Sequence, residues 1–273
     1  MRESDIRARL GRLPQGLTGV YDEIVSSIKS QPDCNVDLAI RALQWMLVSE
    51  CPLQPGVLVA AAQVNPSTPV PLDSSLESVL AVDLLIQSCK GLLLLDSTLG
   101  VVRFSHLSVQ EYLETQNKTW DIGFVGAQLF VSESCLWILQ YGYSLSSPLY
   151  NYAARNWFKH CRSYQDLMLS RGSIKDTKHE LSILLLNSFL GSFKQPSASY
   201  VKWADSLCET SNTNETASSM CVRSMPAFSA AFAGLGELVS WLWHMDGSDM
   251  EIKHNGLLDV AWMLLAAMEQ HGS

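Results

Sequence analysis

The sequence lacks the short motifs that mark the common nucleotide-dependent and hydrolytic enzymes. None of its 16 glycines is followed by lysine, so the Gly-Lys-Ser/Thr end of a phosphate-binding loop is absent. It has no Gly-x-Ser-x-Gly nucleophile elbow. His179 and Glu180 are not followed by the second histidine that a zinc-protease helix needs. We therefore expect a protein that is not an enzyme and that needs neither a cofactor nor a metal.

The sequence also has few charged residues, and positive charge is in deficit. Charged residues make up 17% of the chain, below the average of about 25%. The formal net charge is −8, which argues against nucleic acid and anionic lipid as partners, because both attract clustered Lys and Arg. The hydrophobic fraction of 47% excludes a chain that is disordered throughout, since disordered chains are polar and highly charged.

Paired cysteines and long apolar runs are missing too. The seven cysteines contain no C-x-x-C pair, which predicts reduced thiols packed as small hydrophobic side chains rather than a zinc site. The first residues are charged, and the apolar runs 92–95 and 256–268 are shorter than the roughly 18 residues of a membrane span. These features predict a cytoplasmic protein without a membrane partner, with the nucleus as an alternative location.

Apolar periodicity predicts a mainly α protein that contains one β-hairpin. An arm and a linking helix occupy residues 1–35. Three helices and a hairpin follow over 36–115, with strands at 92–95 and 101–104 around a tight loop, and Ser105 is expected to cap the next helix. A helical spacer occupies 116–222, with helices expected at 123–140, 149–161, 163–170, 178–190 and 198–208.

Five segments carry a resemblance to a known family: LPQGLTGVYDEI at 13–24, ALQWML at 42–47, CKGLLLLD at 89–96, VVRFSHLSVQEYL at 101–113 and YAARNWFKH at 152–160. Together they resemble the region that follows the nucleotide-binding module in fungal NACHT-type STAND (NLR-like) ankyrin-repeat proteins. The resemblance implies that 36–115 is a winged-helix domain. It also aligns His106 with a residue that often faces the nucleotide phosphate, although here a packed or capping role is expected.

The last segment, 223–273, resembles a degenerate ankyrin repeat. Its stretch 225–243 keeps the register of one repeat, but Trp241 and Trp243 stand where leucines are usual. A single repeat cannot bury its own faces, so this segment is expected to self-associate or to bind a helical partner. A generic helical pair is the alternative. The candidate interaction residues are Leu238, Val239, Trp241, Leu242 and Trp243.

Two functions remain open. The first is a non-catalytic interaction or scaffold fragment of a STAND signalling protein, whose partners are proteins: a second copy of the chain or a separate NTPase chain. The second is an ankyrin-type transcription coregulator that acts through protein contacts in the nucleus. Direct DNA reading is disfavoured, because the expected recognition helix at 76–90 and the hairpin after it are net acidic. Their acidic residues are Glu77, Asp83 and Asp96, and their basic residues are Lys90 and Arg103.

An aromatic group in the spacer has two interpretations as well. It is either a partner-binding surface, since aromatic residues are enriched in interfaces, or, as the residue pattern favours, aromatic packing within a helical layer. The group consists of Trp137, Tyr141, Tyr143, Tyr150, Tyr152 and Trp157.

Overall fold

The structure of the chain is a computed structural model that describes residues 16–67, 82–115, 123–142, 145–170, 180–192 and 195–211. The chain divides into two compact units, unit 1 up to Val131 and unit 2 from Ser132 onward. The prediction of a mainly α fold with a β-hairpin is confirmed. The domain boundaries proposed from sequence, after residues 35, 115 and 222, stay predictions.

Unit 1 consists, in its described residues, of helices and one antiparallel hairpin. In chain order the elements are α1 (Leu17–Lys29), α2 (Asp33–Val48), α3 (Pro55–Gln63), α4 (Val82–Ser88), β1 (Leu93–Asp96), β2 (Val101–Phe104) and α5 (Leu107–Thr115), followed by the first half of α6 (Phe124–Trp137).

Local chemistry explains where the first three helices begin. α1 follows Gly16, whose φ of 122° is readily adopted only by glycine. α2 begins at Asp33, earlier than the predicted Val36, because Pro32 ends the preceding turn and the Asp33 carboxylate lies in the favourable field of the helix N-terminus. α3 begins at Pro55, since the first helical position tolerates the missing N–H of proline.

The core of unit 1 forms where α2 packs against α3. Small side chains let the two helices approach closely, and the Arg41 guanidinium of α2 donates to the Ala62 carbonyl of α3 at 3.2 Å. Trp45 is the largest side chain buried there. Seven side chains of these two helices have no exposed surface: Ala39, Ala42, Leu43, Trp45, Leu58, Ala61 and Ala62.

The predicted hairpin is present, but its first strand is shifted by one residue. β1 pairs with β2 from Leu93 opposite Phe104 to Asp96 opposite Val101, whereas the sequence predicted a strand over 92–95. Asp96 belongs to the strand because it closes the loop: its Oδ1 accepts from the Thr98 and Leu99 N–H groups, and its carbonyl accepts from Gly100.

The boundaries of the helices beside the hairpin also differ from the prediction. α4 ends at Ser88 rather than at the predicted Lys90, and residues 76–81 of the predicted helix lie outside the described residues. The φ of Gly91 is 83°, the left-handed geometry expected there. α5 begins at Leu107, and the residue before it is His106, so His106 and not Ser105 occupies the capping position.

Unit 2 continues from α6 through further helices. A π-helical turn spans Ile138–Gly142, and then come α7 (Pro148–Ser170), α8 (Glu180–Leu190), the short strands β3 (Gly191–Ser192) and β4 (Gln195–Pro196), and α9 (Ala198–Ser211). The separate helices predicted at 149–161 and 163–170 are wrong. They form one helix because the buried stripe continues from Trp157 through Cys161 and Tyr164 to Met168 without a helix-breaking residue.

The core of unit 2 is aromatic. Trp157 meets Phe189 at 5.1 Å and Trp203 at 5.5 Å between ring centroids, both edge to face, an arrangement that aromatic pairs favour. Trp203 also donates its indole N–H to the Ala154 carbonyl at 2.8 Å. α7, α8 and α9 are therefore held together by rings contributed by each helix.

Two further expectations concern the rest of the chain. Among the described helices, none combines the length and the apolar character needed to cross a membrane. The ankyrin-like segment 223–273, with its candidate residues Leu238, Val239, Trp241, Leu242 and Trp243, lies outside the described residues.

Candidate functional site

The linking helix α1 is fastened to α5 by two hydrogen bonds between side chains distant in sequence. The Tyr21 hydroxyl lies 2.6 Å from Ser108 Oγ, and the Tyr112 hydroxyl donates to Asp22 Oδ1 at 2.6 Å. The rings of Tyr21 and Tyr112 are in contact, with centroids 5.1 Å apart. Burial and the neighbouring Asp22 carboxylate raise the pKa of Tyr112. We call this arrangement the α1–α5 clamp.

His106 extends the clamp to the protein surface. Its Nδ1 accepts the Ser108 backbone N–H at 3.1 Å and lies 2.7 Å from Ser108 Oγ. The expectation that His106 is a capping side chain is thus confirmed. Because Nδ1 is an acceptor, the neutral ring carries its proton on Nε2. The exposed imidazole therefore offers one oriented N–H donor beside the clamp.

Two exposed apolar side chains flank the clamp. Val20 precedes Tyr21 and is 50% exposed, and Leu107 precedes Ser108 and is 55% exposed. The hydrogen bond between the Tyr21 and Ser108 side chains joins the two helices that carry Val20 and Leu107. α1 buries only Tyr21 and Ile28, so much of its apolar face stays at least partly open. We call the outer surface of these two helices the α1–α5 face.

The hairpin presents a second small apolar surface. Leu95 is 43% exposed and Leu99 is 71% exposed. The one cation of the hairpin, Arg103, donates to Asp96 Oδ2 at 3.1 Å, and the backbone N–H groups of Leu99 and Thr98 together with Arg103 lower the pKa of Asp96. Arg103 is thus occupied within the hairpin.

Unit 2 contains a buried carboxyl that the sequence analysis did not identify. Glu133 on α6 is 8% exposed, and its Oε1 accepts from the Ser182 hydroxyl of α8 at 2.6 Å. Burial raises the pKa of Glu133 to about 7, and the Ser182 hydrogen bond only partly opposes this. Burial raises the pKa of the Cys161 thiol to about 12, and the charge of the nearby Glu133 carboxylate contributes a smaller increase. Glu133 is thus protonated in the folded protein below about pH 7.

A buried histidine lies on α7 of the same unit. His160 has no exposed surface, and its Nε2 lies 2.9 Å from the hydroxyl of Tyr152, about two helical turns earlier. The two rings are stacked with centroids 6.0 Å apart. Burial, assisted by the charge of Lys159, lowers the pKa of His160 to about 4. The ring is therefore neutral at physiological pH and acts as a hydrogen-bonding core residue.

The other groups named from sequence divide between core and surface. Aromatic packing is confirmed for Trp137, Tyr150, Tyr152 and Trp157, which are all buried, whereas Tyr141 is 51% exposed. Tyr143 lies outside the described residues.

The cysteines divide similarly. All five that the structure describes are free thiols; Cys89, Cys135 and Cys161 are buried as small hydrophobic side chains, and Cys34 and Cys51 are exposed. Among the described residues, no group of three or more His, Cys, Asp or Glu side chains is placed to hold a metal ion.

The clamp makes a direct stability prediction. Tyr112→Phe removes the hydroxyl that donates to Asp22, and a hydrogen bond of this kind contributes about 1–2 kcal/mol. We expect urea unfolding of the full chain to show a loss of that size in the transition of unit 1. Tyr141→Phe, at an exposed ring, is the matched control and should leave the midpoint unchanged. Equal midpoints for the two variants would show that the clamp contributes nothing.

Comparison with known proteins identified no relative of the chain. No protein-family model matches the chain, and neither a curated protein nor a solved structure matches it.

Proposed function

We propose that the chain is a non-catalytic protein-interaction module of a STAND-type (NLR-like) signalling system, located in the cytoplasm. Its helices α2, α3 and α4 and the following hairpin have the element order of a winged helix. One further bond supports this assignment. The Val102 N–H of β2 donates to the Leu53 carbonyl at 2.9 Å, so one backbone hydrogen bond joins the segment between α2 and α3 to the hairpin, at the place where a winged-helix sheet has its extra strand.

The observation that carries the proposal is the exposed apolar pair on the α1–α5 face. Val20 and Leu107 each precede, in sequence, one residue of the buried Tyr21–Ser108 hydrogen bond, and both belong to helices rather than to loops. Rigid, exposed apolar side chains bordered by polar groups are typical of protein-docking surfaces. α1 is also the segment that resembles the exit from a NACHT nucleotide-binding module, so the partner that we propose for this face is such a module on a separate polypeptide.

The experiment is a titration of the purified full chain with a separately expressed fungal NACHT module, followed by biolayer interferometry. We expect Val20→Ser combined with Leu107→Gln to weaken binding at least about tenfold, because both apolar contacts are lost. The matched control is Leu184→Gln, at a leucine of unit 2 that is 64% exposed, and this variant should bind as the wild type does. Binding that the double variant leaves unchanged would contradict the proposal.

A nucleotide test accompanies the docking test. The sequence has no Gly-Lys dipeptide, so a phosphate-binding loop would have to come from outside these 273 residues. We expect calorimetry to detect no ATP binding by the purified chain at ATP concentrations up to about 1 mM. Any binding would then have a Kd above about 1 mM, which is very weak. Micromolar ATP binding that a single substitution in this chain abolishes would contradict the non-catalytic assignment.

The alternative function, a nuclear transcription coregulator, acts through protein contacts and is compatible with the same surface. Direct DNA reading by the hairpin is not favoured, because Arg103 is paired with Asp96 at 3.1 Å and Asp83 of α4 is exposed. A phosphate contact would first have to displace the Asp96 carboxylate.

A further inference from the structure

Helix α8 is anchored unevenly along its length. Near its end, Phe189 meets the Trp157 ring at 5.1 Å between centroids, and the Phe189 carbonyl accepts from the Ser197 hydroxyl. In the middle of the helix, the Leu185 carbonyl accepts from Gln140 Nε2 at 2.9 Å. The second half of α8 is therefore fixed by ring packing and by hydrogen bonds to two neighbouring segments.

The first turn of α8 is the less buried end of the helix. Leu184 is 64% exposed and Leu181 is half-buried. Ser182 is buried there, and its hydroxyl donates to Glu133 Oε1 on α6 at 2.6 Å. Ser182 is thus the side chain that bonds the first turn of α8 to α6. We call the Glu133–Ser182 contact the α6–α8 latch.

The groups around the Glu133 carboxyl do not neutralise a negative charge on it. From α7 the titratable group beside it is the Cys161 thiol, which is neutral because burial raises its pKa to about 12. Cys135 of α6 is a buried free thiol too. His160, next to Cys161 on α7, is neutral above about pH 4, since burial lowers its pKa to that value. From α8 the carboxyl receives the uncharged Ser182 hydroxyl. The cations of α7 lie on its exposed side: Arg155, Lys159 and Arg162.

We propose that the α6–α8 latch is operated by a proton: when Glu133 loses its proton, the first turn of α8 leaves α6 and water reaches the carboxylate. A buried charge without a counterion is costly. The Ser182 hydrogen bond favours the carboxylate, but burial has the larger effect and raises the pKa of Glu133 to about 7. Exposure of the carboxylate to water removes this cost, and the first turn of α8 is the neighbouring segment with the weakest anchorage.

The opening is local and differs from unfolding of the whole unit. Segments with few buried contacts open at a lower free energy than the global unfolding, and the packing of Phe189 on Trp157 holds the second half of α8 in both states. The pKa of the carboxyl is about 7 in the closed state and 4.5, its ordinary value, when water reaches it. The ratio of open to closed molecules should therefore rise about tenfold from pH 6 to pH 8.

The test is hydrogen–deuterium exchange of the full chain at pH 6 and pH 8, with each rate divided by the rate of the same amide in an unfolded peptide. In the wild type, this ratio should rise about tenfold in the first half of α8 and stay constant in its second half and in α7. Glu133→Gln has no proton to lose, so its α8 should give the same ratio at both pH values. Asp166→Asn, at an exposed carboxyl of the same unit, is the control and should behave like the wild type.

A second variant tests the latch without a change of pH. Ser182→Ala removes the hydroxyl that bonds α8 to α6, so the first half of α8 should exchange about fivefold faster than in the wild type already at pH 6. Equal α8 exchange in the wild type and in Glu133→Gln at pH 8, equal acceleration of all the helices of unit 2, or a Ser182→Ala variant that exchanges like the wild type would overturn the proposal. These variants leave Val20 and Leu107 unchanged, so the docking of a NACHT module is tested separately.

Discussion

Glu133→Gln is expected to raise the free energy of unfolding by about 3 kcal/mol more at about pH 8 than at pH 4.5. The size follows from the pKa shift of Glu133, since each pKa unit corresponds to about 1.4 kcal/mol. The ordinary pKa of this carboxyl is 4.5, and burial raises it to about 7 in the folded chain. The Ser182 hydroxyl can still donate to the amide oxygen of the variant, so the hydrogen bond between α6 and α8 is kept.

The sign follows from proton linkage. Below pH 4.5 both the folded and the unfolded states hold the proton, and Glu133 costs nothing. As the pH rises from 4.5 to about 7 the unfolded state releases the proton while the folded state keeps it, so the free energy of unfolding falls. Above about pH 7 the loss is complete. The glutamine variant has no proton to lose and escapes this decline.

Urea unfolding at several pH values measures the effect, with tryptophan fluorescence to follow unit 2. The control is Glu114→Gln, an exposed glutamate on α5, which should change stability by less than about 0.5 kcal/mol at every pH. Parallel pH profiles for the Glu133→Gln variant and the wild type would show that the carboxyl is not buried as described.

His160→Gln is expected to have the opposite pH dependence. Burial lowers the pKa of His160 from 6.5 to about 4. Above pH 6.5 the ring is neutral in both states, and as the pH falls toward 4 only the unfolded state takes up a proton. The wild type should therefore lose about 3 kcal/mol of stability from this residue over that range. The variant has no titrating ring, so its stability relative to the wild type should rise by that amount.

The same urea experiment at acidic pH measures this effect. Arg162→Gln, at an exposed position of the same helix, changes a group that does not titrate in this range and is the control. A constant stability difference between the His160→Gln variant and the wild type from pH 7 to about pH 4 would refute the assignment of a neutral, buried imidazole.

The two groups act against each other in the wild type. Between pH 4.5 and 6.5 the Glu133 contribution falls with rising pH while the His160 contribution rises, so the two slopes nearly cancel. Relative to the wild type, two variants whose stabilities change with pH in opposite directions in this window would be the combined signature of these residues.

The hairpin was predictable because its signals are local. Two apolar runs flank a turn, and Gly100 supplies the left-handed φ of 67° that the loop needs. The strand shift at Asp96 was not predictable from apolar alternation, since it depends on the two backbone N–H groups that this carboxylate accepts. The Val102 to Leu53 bond joins distant segments and leaves no mark in local sequence.

The burial of the Glu133 carboxyl could have been predicted from the composition of its helix, although not from apolar periodicity alone. Glu133 is the only charged residue of α6, whose other side chains are apolar or small apart from Gln128. A helix without a polar face is buried all round, so a charge within it must be buried too. His160 gave no such signal, because α7 has a clear polar face and only tertiary packing decides that the imidazole faces inward.

The clamp lay between these extremes. The apolar spacing of α1 predicted a helix, and His106 was expected to be a capping or packed residue, but no pattern in the sequence pairs Tyr21 with Ser108 or Tyr112 with Asp22. Such pairs are set by how two helices, separated by most of unit 1, come to lie side by side.

Hydrogen–deuterium exchange of the full chain, with and without a purified NACHT module, tests the central claim most directly. Docking on the α1–α5 face should slow amide exchange in α1 (Leu17–Lys29) and α5 (Leu107–Thr115), because a covered helix opens less often. Exchange in α7, on the other unit, should stay as it is in the free chain. A module that binds and protects other segments while α1 and α5 exchange at their free rates would contradict the account.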